Sequence, residues 1–270
     1  MHYFLFMIIC DNLTDLGTSL SKLYCTNSKI GFVPTMGALH QGHASLIQRS
    51  ASENDYTIVS IFVNPTQFGE GEDLDKYPRT LQADLDLCRQ IGATHVFTPT
   101  TDLMYPEGRD KYQIQFSLRS LDKVLCGAKR PGHFDGVLQV VSKLFNLVRP
   151  HRAYFGKKDF QQLIILKKLA AELFFPIEII GCEIIRETDG LAMSSRNRYL
   201  GPEERKQALF LSQSLKKCAA AAKNGVSVQE LEQIVQNELH QFPLIRLDYF
   251  DVRSRHDLRA LKTLNEKDAP

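Results

Sequence analysis

The sequence predicts an α/β protein: a doubly wound, Rossmann-like parallel sheet over residues 1–183, followed by a smaller α+β domain over residues 184–270. Three observations carry this expectation. Short, almost continuously apolar runs alternate with segments of helical period through the first two thirds of the chain, as strands covered on both faces by crossover helices require. The alternation stops near residue 183. Beyond it come a polar loop, two helix-like segments and one more strand-like run.

Taken in order, YFLFMIIC (residues 3–10) reads as a buried first strand. It has no basic leader or cleavage site and is too short to cross a membrane. IGFV (30–33), YTIVSIFV (56–63), THVFT (94–98), RAYF (152–155) and IEII (177–180) read as the following strands. Between them, residues 44–53, 80–91, 136–148 and 160–174 carry the helical period. A polar loop over 187–201 leads to Pro202-Glu203-Glu204, with proline at a first helical position. Helices over 203–223 and 228–241 and a strand over 245–252 (IRLDYFDV) complete the small domain, hinged near 183–190.

Of the 270 residues, 43% are hydrophobic and 24% charged, which excludes a disordered or fibrous chain. The 33 basic side chains nearly cancel 31 acidic ones, so no global field draws the protein to nucleic acid. Six cysteines lie at 10, 25, 88, 126, 182 and 218 without a Cys-x-x-Cys pair. That spacing excludes a disulfide scaffold and fits reduced thiols in a cytoplasmic protein.

The densest chemical signal is GFVPTMGALHQGH (31–43), a strand, a glycine turn and a helix start. Gly37 and Gly42 leave room for a phosphate or adenine, and the helix start offers N–H groups to an anion. His40 and His43, three apart, share a face and can donate to a phosphate. Two other readings stand beside this one: both histidines cap the helix, or they hold zinc with His133 as third ligand. At the end of the next strand, Asn64 and Gln67 are neutral amides suited to a carboxylate and hydroxyls. Glu70, Glu72, Asp73 and Asp75 read as a mobile, solvated acidic loop, with one or more able to approach a metal-bound nucleotide. Asp84 reads as a residue of an exposed helix face. Lys129 to Phe134 offers basic groups for an anion or a solvated loop.

FGKKDFQQ (155–162) again leaves a strand end for a helix. There Lys158 can meet a phosphate, Asp159 can orient it or bind ribose, and Gln162 adds an amide. Lys157 reads as the solvent-facing lysine. In the interdomain loop, Met193 to Arg198 offers two hydroxyls and a guanidinium able to close on a triphosphate. Together these segments support an adenylyl-transferring α/β enzyme, and the sequence has no Ser-His-Asp or Cys-His arrangement.

Six ordered blocks, PTMGALHQGH, SIFVNPTQFG, EDLDKYPRT, RPGHFDGV, YFGKKDFQQL and MSSRNRYL, resemble the pantothenate synthetase (pantoate–β-alanine ligase) family of the His-x-Gly-His superfamily. The resemblance implies that pantoate attacks the α-phosphate of Mg2+-ATP to give pantoyl adenylate, which β-alanine converts to pantothenate and AMP. It implies an ATP site of Met36, Gly37, Ala38, Leu39, His40, Gln41, Gly42 and His43, with His43 as proton donor. Gly156, Lys157, Lys158, Asp159, Ile185, Met193, Ser194, Ser195 and Arg196 complete that site, Lys158 being the chief phosphate cation. Gln67, Asn64 and Gln162 would face pantoate, and Gln67 β-alanine as well. The family further implies a homodimer and assigns no metal ligand here. A nucleotidyltransferase for another acceptor and a catalytically weak nucleotide-binding module are the alternatives. Family members usually continue past Leu258-Arg259-Ala260-Leu261 with an apolar strand, where this chain runs to Asn265-Glu266-Lys267-Asp268-Ala269-Pro270. The small domain is therefore expected to lack a strand and to leave a sheet edge unpaired.

Overall fold

A computed structural model describes residues 7–109 and 111–261. The chain begins with β1 (Ile8–Cys10) and α1 (Leu13–Tyr24), then β2 (Ile30–Thr35), α2 (Gln41–Glu53), β3 (Tyr56–Ile61), α3 (Leu81–Gln90) and β4 (His95–Phe97). Two short helices, α4 (Thr101–Met104) and α5 (Leu125–Lys129), precede α6 (His133–Val148), β5 (Arg152–Gly156), α7 (Phe160–Glu172) and β6 (Glu178–Cys182). Helices α8 (Pro202–Lys223) and α9 (Val228–Leu239) follow.

The six strands form one sheet in the order β1-β4-β3-β2-β5-β6, and every pairing is parallel. Successive residues of a strand point to opposite faces, and the core divides accordingly. Phe32, Ile58, Phe97, Phe155 and Ile179 pack on one face with α1, α6 and α7. Val33, Val59, Val96, Tyr154 and Cys182 pack on the other with α2 and α3. Both faces are covered, which is why these strands read as unbroken apolar runs. From β2 the chain winds through β3 and β4 to one side, then through β5 and β6 to the other. The crevice between the C-terminal ends of β2 and β5 is the topological switch point, where open α/β sheets bind ligands.

Two expectations need correction. Only Cys10 of β1 is buried, and Ile8 and Ile9 are each 45% exposed, because β1 is an edge strand paired with β4 alone. Residues 1–6 of the expected strand lie outside the described residues. Residues 245–252 form no strand; the region carries an isolated bridge between Arg253 and Ala260. Ile245, Leu247, Phe250 and Val252 instead pack on the separate core of α8 and α9, around Phe210, Cys218, Leu231 and Val235. Alternation there satisfies side-chain burial on helices, and alternation alone does not supply the neighbouring backbone that a ladder needs. The expected loss of a strand beyond Leu261 falls on residues 262–270, outside the described residues. All six cysteines are free, with Cys10, Cys88, Cys182 and Cys218 buried, Cys126 half-buried and Cys25 exposed.

Candidate active site

The crevice is walled by the turns that leave β2, β3 and β5 and by the loop that precedes α8. After β2, Gly37 and Ala38 adopt left-handed φ values of 79° and 49°. A Cβ on Gly37 would lie 3.0 Å from Asp84 Oδ2 and 3.1 Å from Ile61, so a side chain there would crowd the Asp84 carboxylate as well as strain the left-handed backbone. The turn is held from behind. Asp84, buried on α3, accepts from the N–H groups of Ala38 (2.9 Å) and Leu39 (2.8 Å) and from the Thr80 hydroxyl (3.1 Å). Asp84 is thus an internal anchor and not part of an exposed helix face. Met36, His40, Gly42 and His43 line the crevice, whereas Gly37, Ala38 and Leu39 form the turn behind it and Gln41 faces solvent.

His40 is the N-cap of α2, its Nδ1 accepting from the Gly42 N–H at 3.1 Å. His43 returns the bond, its Nδ1 accepting from the His40 N–H at 3.3 Å. A side chain on Gly42 would collide with the His40 ring, only 2.8 Å from the position of its Cβ. The capping and ligand readings of this pair are therefore compatible. Each Nδ1 is used as an acceptor, which places the ring proton on Nε2 and leaves Nε2–H as the donor. The rings lie 4.1 Å apart. Burial, with the neighbouring His40 ring and Lys158, pulls His43 down to about 3; burial and Lys158 lower His40 as well. Both are neutral donors near pH 7. His43 in this state offers a hydrogen bond, not an imidazolium proton.

The zinc reading is not supported: among the described residues no three His, Cys, Asp or Glu side chains gather to hold a metal ion. His133 instead donates from Nδ1 to the Gln67 carbonyl (2.8 Å) and accepts at Nε2 from Arg130 (3.0 Å).

After β3, Asn64 is 1% exposed and saturated. Its oxygen accepts from Tyr105 (2.6 Å) and Thr66 (3.1 Å), and its amide donates to Gln67 Oε1 (3.1 Å) and the Gly136 carbonyl (3.2 Å). Asn64 borders the crevice, but its polar groups are committed to protein partners, Gln67 among them. Gly136 of α6 permits this turn to sit close, since a Cβ there would lie 2.2 Å from the Thr66 oxygen.

After β5, Gly156, Lys158, Asp159 and Gln162 line the crevice. The Lys158 ammonium lies 3.6 Å from Asp159. Lys157 turns away to pair with Glu183. Gln161, the residue before Gln162, is buried and donates to the Leu121 and Val124 carbonyls, holding the loop before α5.

The opposite wall comes from residues 185–196. Met193 N–H bonds the Ile185 carbonyl at 3.0 Å, and Ser194 accepts from the Arg196 N–H at 3.2 Å. Ser195 lies 3.2 Å from the Tyr77 hydroxyl. Arg196 forms a two-pronged pair with Asp73, both contacts at 2.8 Å. Arg130 is likewise gripped by Glu72, at 2.7 and 2.5 Å. Glu72 and Asp73 do not line the crevice themselves but are ion-paired to Arg130 and Arg196, which do, and each arginine holds its carboxyl below the usual range. The sequence singled out no role for Tyr77, and it placed Asp84 on an exposed face and Glu72 and Asp73 in a solvated loop, without their structural partners. Asp84 shares its helical face with Leu85 and Cys88, a pattern that does mark it as inward-facing.

Comparison with known proteins finds relatives along most of the chain. The pantoate–β-alanine ligase family model matches residues 8–269. A pantothenate synthetase of Bacteroides fragilis is 49% identical over 260 residues, covering 96% of this chain and 91% of the relative. A crystal structure of pantothenate synthetase from Thermus thermophilus superposes with a TM-score of 0.90 at 41% identity, covering 96% of this chain and 91% of that one. The Francisella tularensis pantoate–β-alanine ligase complexed with β,γ ATP and β-alanine gives a TM-score of 0.73 at 40% identity, with 78% and 79% coverage. These matches along the chain do not favour a nucleotidyltransferase for another acceptor or a degenerate binding module. The chain belongs to the pantoate–β-alanine ligase family.

Proposed function

We propose that this chain joins pantoate to β-alanine at the expense of ATP, releasing AMP and pyrophosphate, through a pantoyl adenylate formed in the crevice. The observation that carries the reading is that one crevice gathers both kinds of group: donors and cations from His40, His43, Lys158 and Arg196, and the amides of Gln67 and Gln162.

Met36, Gly42, Gly156, Ile185, Met193, Ser194 and Ser195 would cradle the nucleotide. The backbone of Gly37, Ala38 and Leu39 holds that cradle, and Gln41 and Lys157 contribute from its outer margin. In the first step a pantoate carboxylate oxygen attacks the α-phosphorus in line, and the bond to pyrophosphate breaks. Nε2–H of His40 and His43 donate to the phosphate oxygens as charge accumulates, and Lys158 balances the leaving group. Asp159 keeps Lys158 on the crevice side. Gln67, fixed by Asn64, and Gln162 orient pantoate. In the second step the β-alanine amine attacks the acyl carbon, AMP leaves, and the ammonium proton passes to solvent. Both steps rely on positioning and charge stabilisation.

Magnesium would accompany the triphosphate and would draw most of its ligands from phosphate oxygens. The carboxylates that line the crevice, Asp159 and Glu183, pair with Lys158 and Lys157, and the adjacent Asp73 and Glu72 pair with arginines. The homodimer and the cytoplasmic location implied by the resemblance belong to the same proposal; light scattering tests the first. Among the described residues no helix is long and apolar enough to cross a membrane. The reading is tested by incubating the protein with Mg2+-ATP, pantoate and β-alanine and omitting each in turn. Pantothenate and AMP that require all three substrates support it; ADP in place of AMP contradicts it.

A further inference from the structure

Glu72 and Asp73 are neighbours in sequence, yet they treat their two arginines differently. Every guanidinium nitrogen of Arg130 is occupied. Nε and Nη2 donate to Glu72, Nη1 faces His133 Nε2 at 3.0 Å, and Nη2 also reaches the Gln67 carbonyl at 3.5 Å. Arg130 is thereby a brace for the Gln67 turn. Arg196 is bound along one edge only: Nε and Nη2 donate to Asp73, and among the described residues Nη1 has no protein acceptor. A guanidinium carries five N–H donors in a rigid fork, so the grip of Asp73 leaves the other edge available in the crevice.

The surroundings fix that aim. The guanidinium carbon of Arg196 lies 5.4 Å from the Tyr77 ring centroid and 6.0 Å from that of Phe68. Tyr77 also meets Ser195, and Tyr199 donates to the Lys76 carbonyl at 2.9 Å. The 68–77 loop therefore holds the 194–199 turn at several points, and the Asp73 fork is the one that sets guanidinium orientation.

We propose that Asp73 is a positioning residue for the reaction, holding one edge of Arg196 so that its other edge meets the phosphates of the nucleotide. This rests on the proposed role of Arg196 toward ATP. Asp73 itself touches no phosphate. Asp73→Asn keeps the size but has one acceptor oxygen where the fork needs two.

The test is a double-mutant cycle in the full chain, comparing wild type, D73N, R196A and the double variant in AMP formation at saturating pantoate and β-alanine. R196A is expected to lower kcat/KM for ATP by about 100-fold, the scale for one charge-stabilising donor. D73N is expected to lower it by about tenfold in the wild-type background and by less than about twofold when Arg196 is already absent, since the pair acts as a unit. KM for pantoate should stay within about twofold, and D73E should recover part of the loss by restoring the carboxylate. A tenfold loss from D73N that persists in the R196A background, or no loss from D73N at all, overturns the inference. An R196A enzyme with unchanged kcat/KM for ATP refutes the role of Arg196 itself, which is a distinguishable failure.

Discussion

Asp84→Ala removes a single carboxylate on which three donors converge, the N–H groups of Ala38 and Leu39 and the hydroxyl of Thr80. The side chain is 3% exposed, so water does not readily take its place. Each buried donor left without a partner costs about 1–3 kcal/mol. The threonine hydroxyl can rotate to another acceptor, and relief of the buried charge offsets part of the loss, leaving about 3 kcal/mol. For a chain of this size that lowers Tm by roughly 6–12 °C. The loss reaches the crevice because the freed turn carries Ala38 at a left-handed φ and leads directly into His40. KM for ATP should therefore rise while KM for β-alanine changes little. Asp84→Asn, which retains one acceptor, should fall between the two. Urea unfolding and steady-state kinetics on the three proteins give the answer. A stability loss below about 1 kcal/mol with an unchanged KM for ATP would refute the anchoring role.

His43 is held neutral, so unfolded chains take up its proton near pH 6.5 while the folded protein resists down to about 3. The unfolded state binds more protons in that window, so stability falls as pH falls through it. His43→Asn should reduce the acid slope of unfolding free energy by up to about 1.4 kcal/mol per pH unit; an unchanged slope between pH 4 and 6 would show that His43 titrates normally. Among the described residues Lys158 has an ion pair only with Asp159, and both side chains are substantially exposed, so Lys158→Ala should leave Tm within about 1 °C. Adenylate formation should nevertheless drop about 10²–10³-fold, and a normal rate of ATP–pyrophosphate exchange would exclude Lys158 as the phosphate cation. Gly136→Ala drives a methyl into the Thr66 carbonyl, so α6 and the Gln67 turn must separate. A raised KM for pantoate with a lower Tm is expected, and wild-type values of both would contradict the close packing.

Much of this architecture was legible because the physics is local. Parallel strands covered on both faces read as Phe32-Val33, Ile58-Val59 and Tyr154-Phe155 pairs whose members enter opposite cores. The histidine, lysine and glutamine segments were legible because each follows the C-terminal end of a strand, β2, β3 or β5, that borders the crevice. What escaped depends on contacts distant in sequence. Nothing near residue 73 announces Arg196, 123 positions away, and nothing near Asn64 announces the Gly136 carbonyl. Gln161 and Gln162 look alike in sequence. Helical phase sends one under the 121–127 loop and the other to the crevice. Residues 245–252 have strand-like alternation, but a strand also needs a backbone neighbour, which side-chain pattern does not encode.

The central claim, that a carboxylate is activated here by transfer of AMP, is tested most directly with pantoate carrying 18O in its carboxylate. Attack on the α-phosphorus followed by amine attack on the acyl carbon must leave one labelled oxygen on phosphorus. The account predicts AMP bearing a single 18O, one labelled oxygen retained in the amide of pantothenate, and unlabelled pyrophosphate. Label in inorganic phosphate with ADP as the nucleotide product would contradict it, because activation would then proceed through an acyl phosphate.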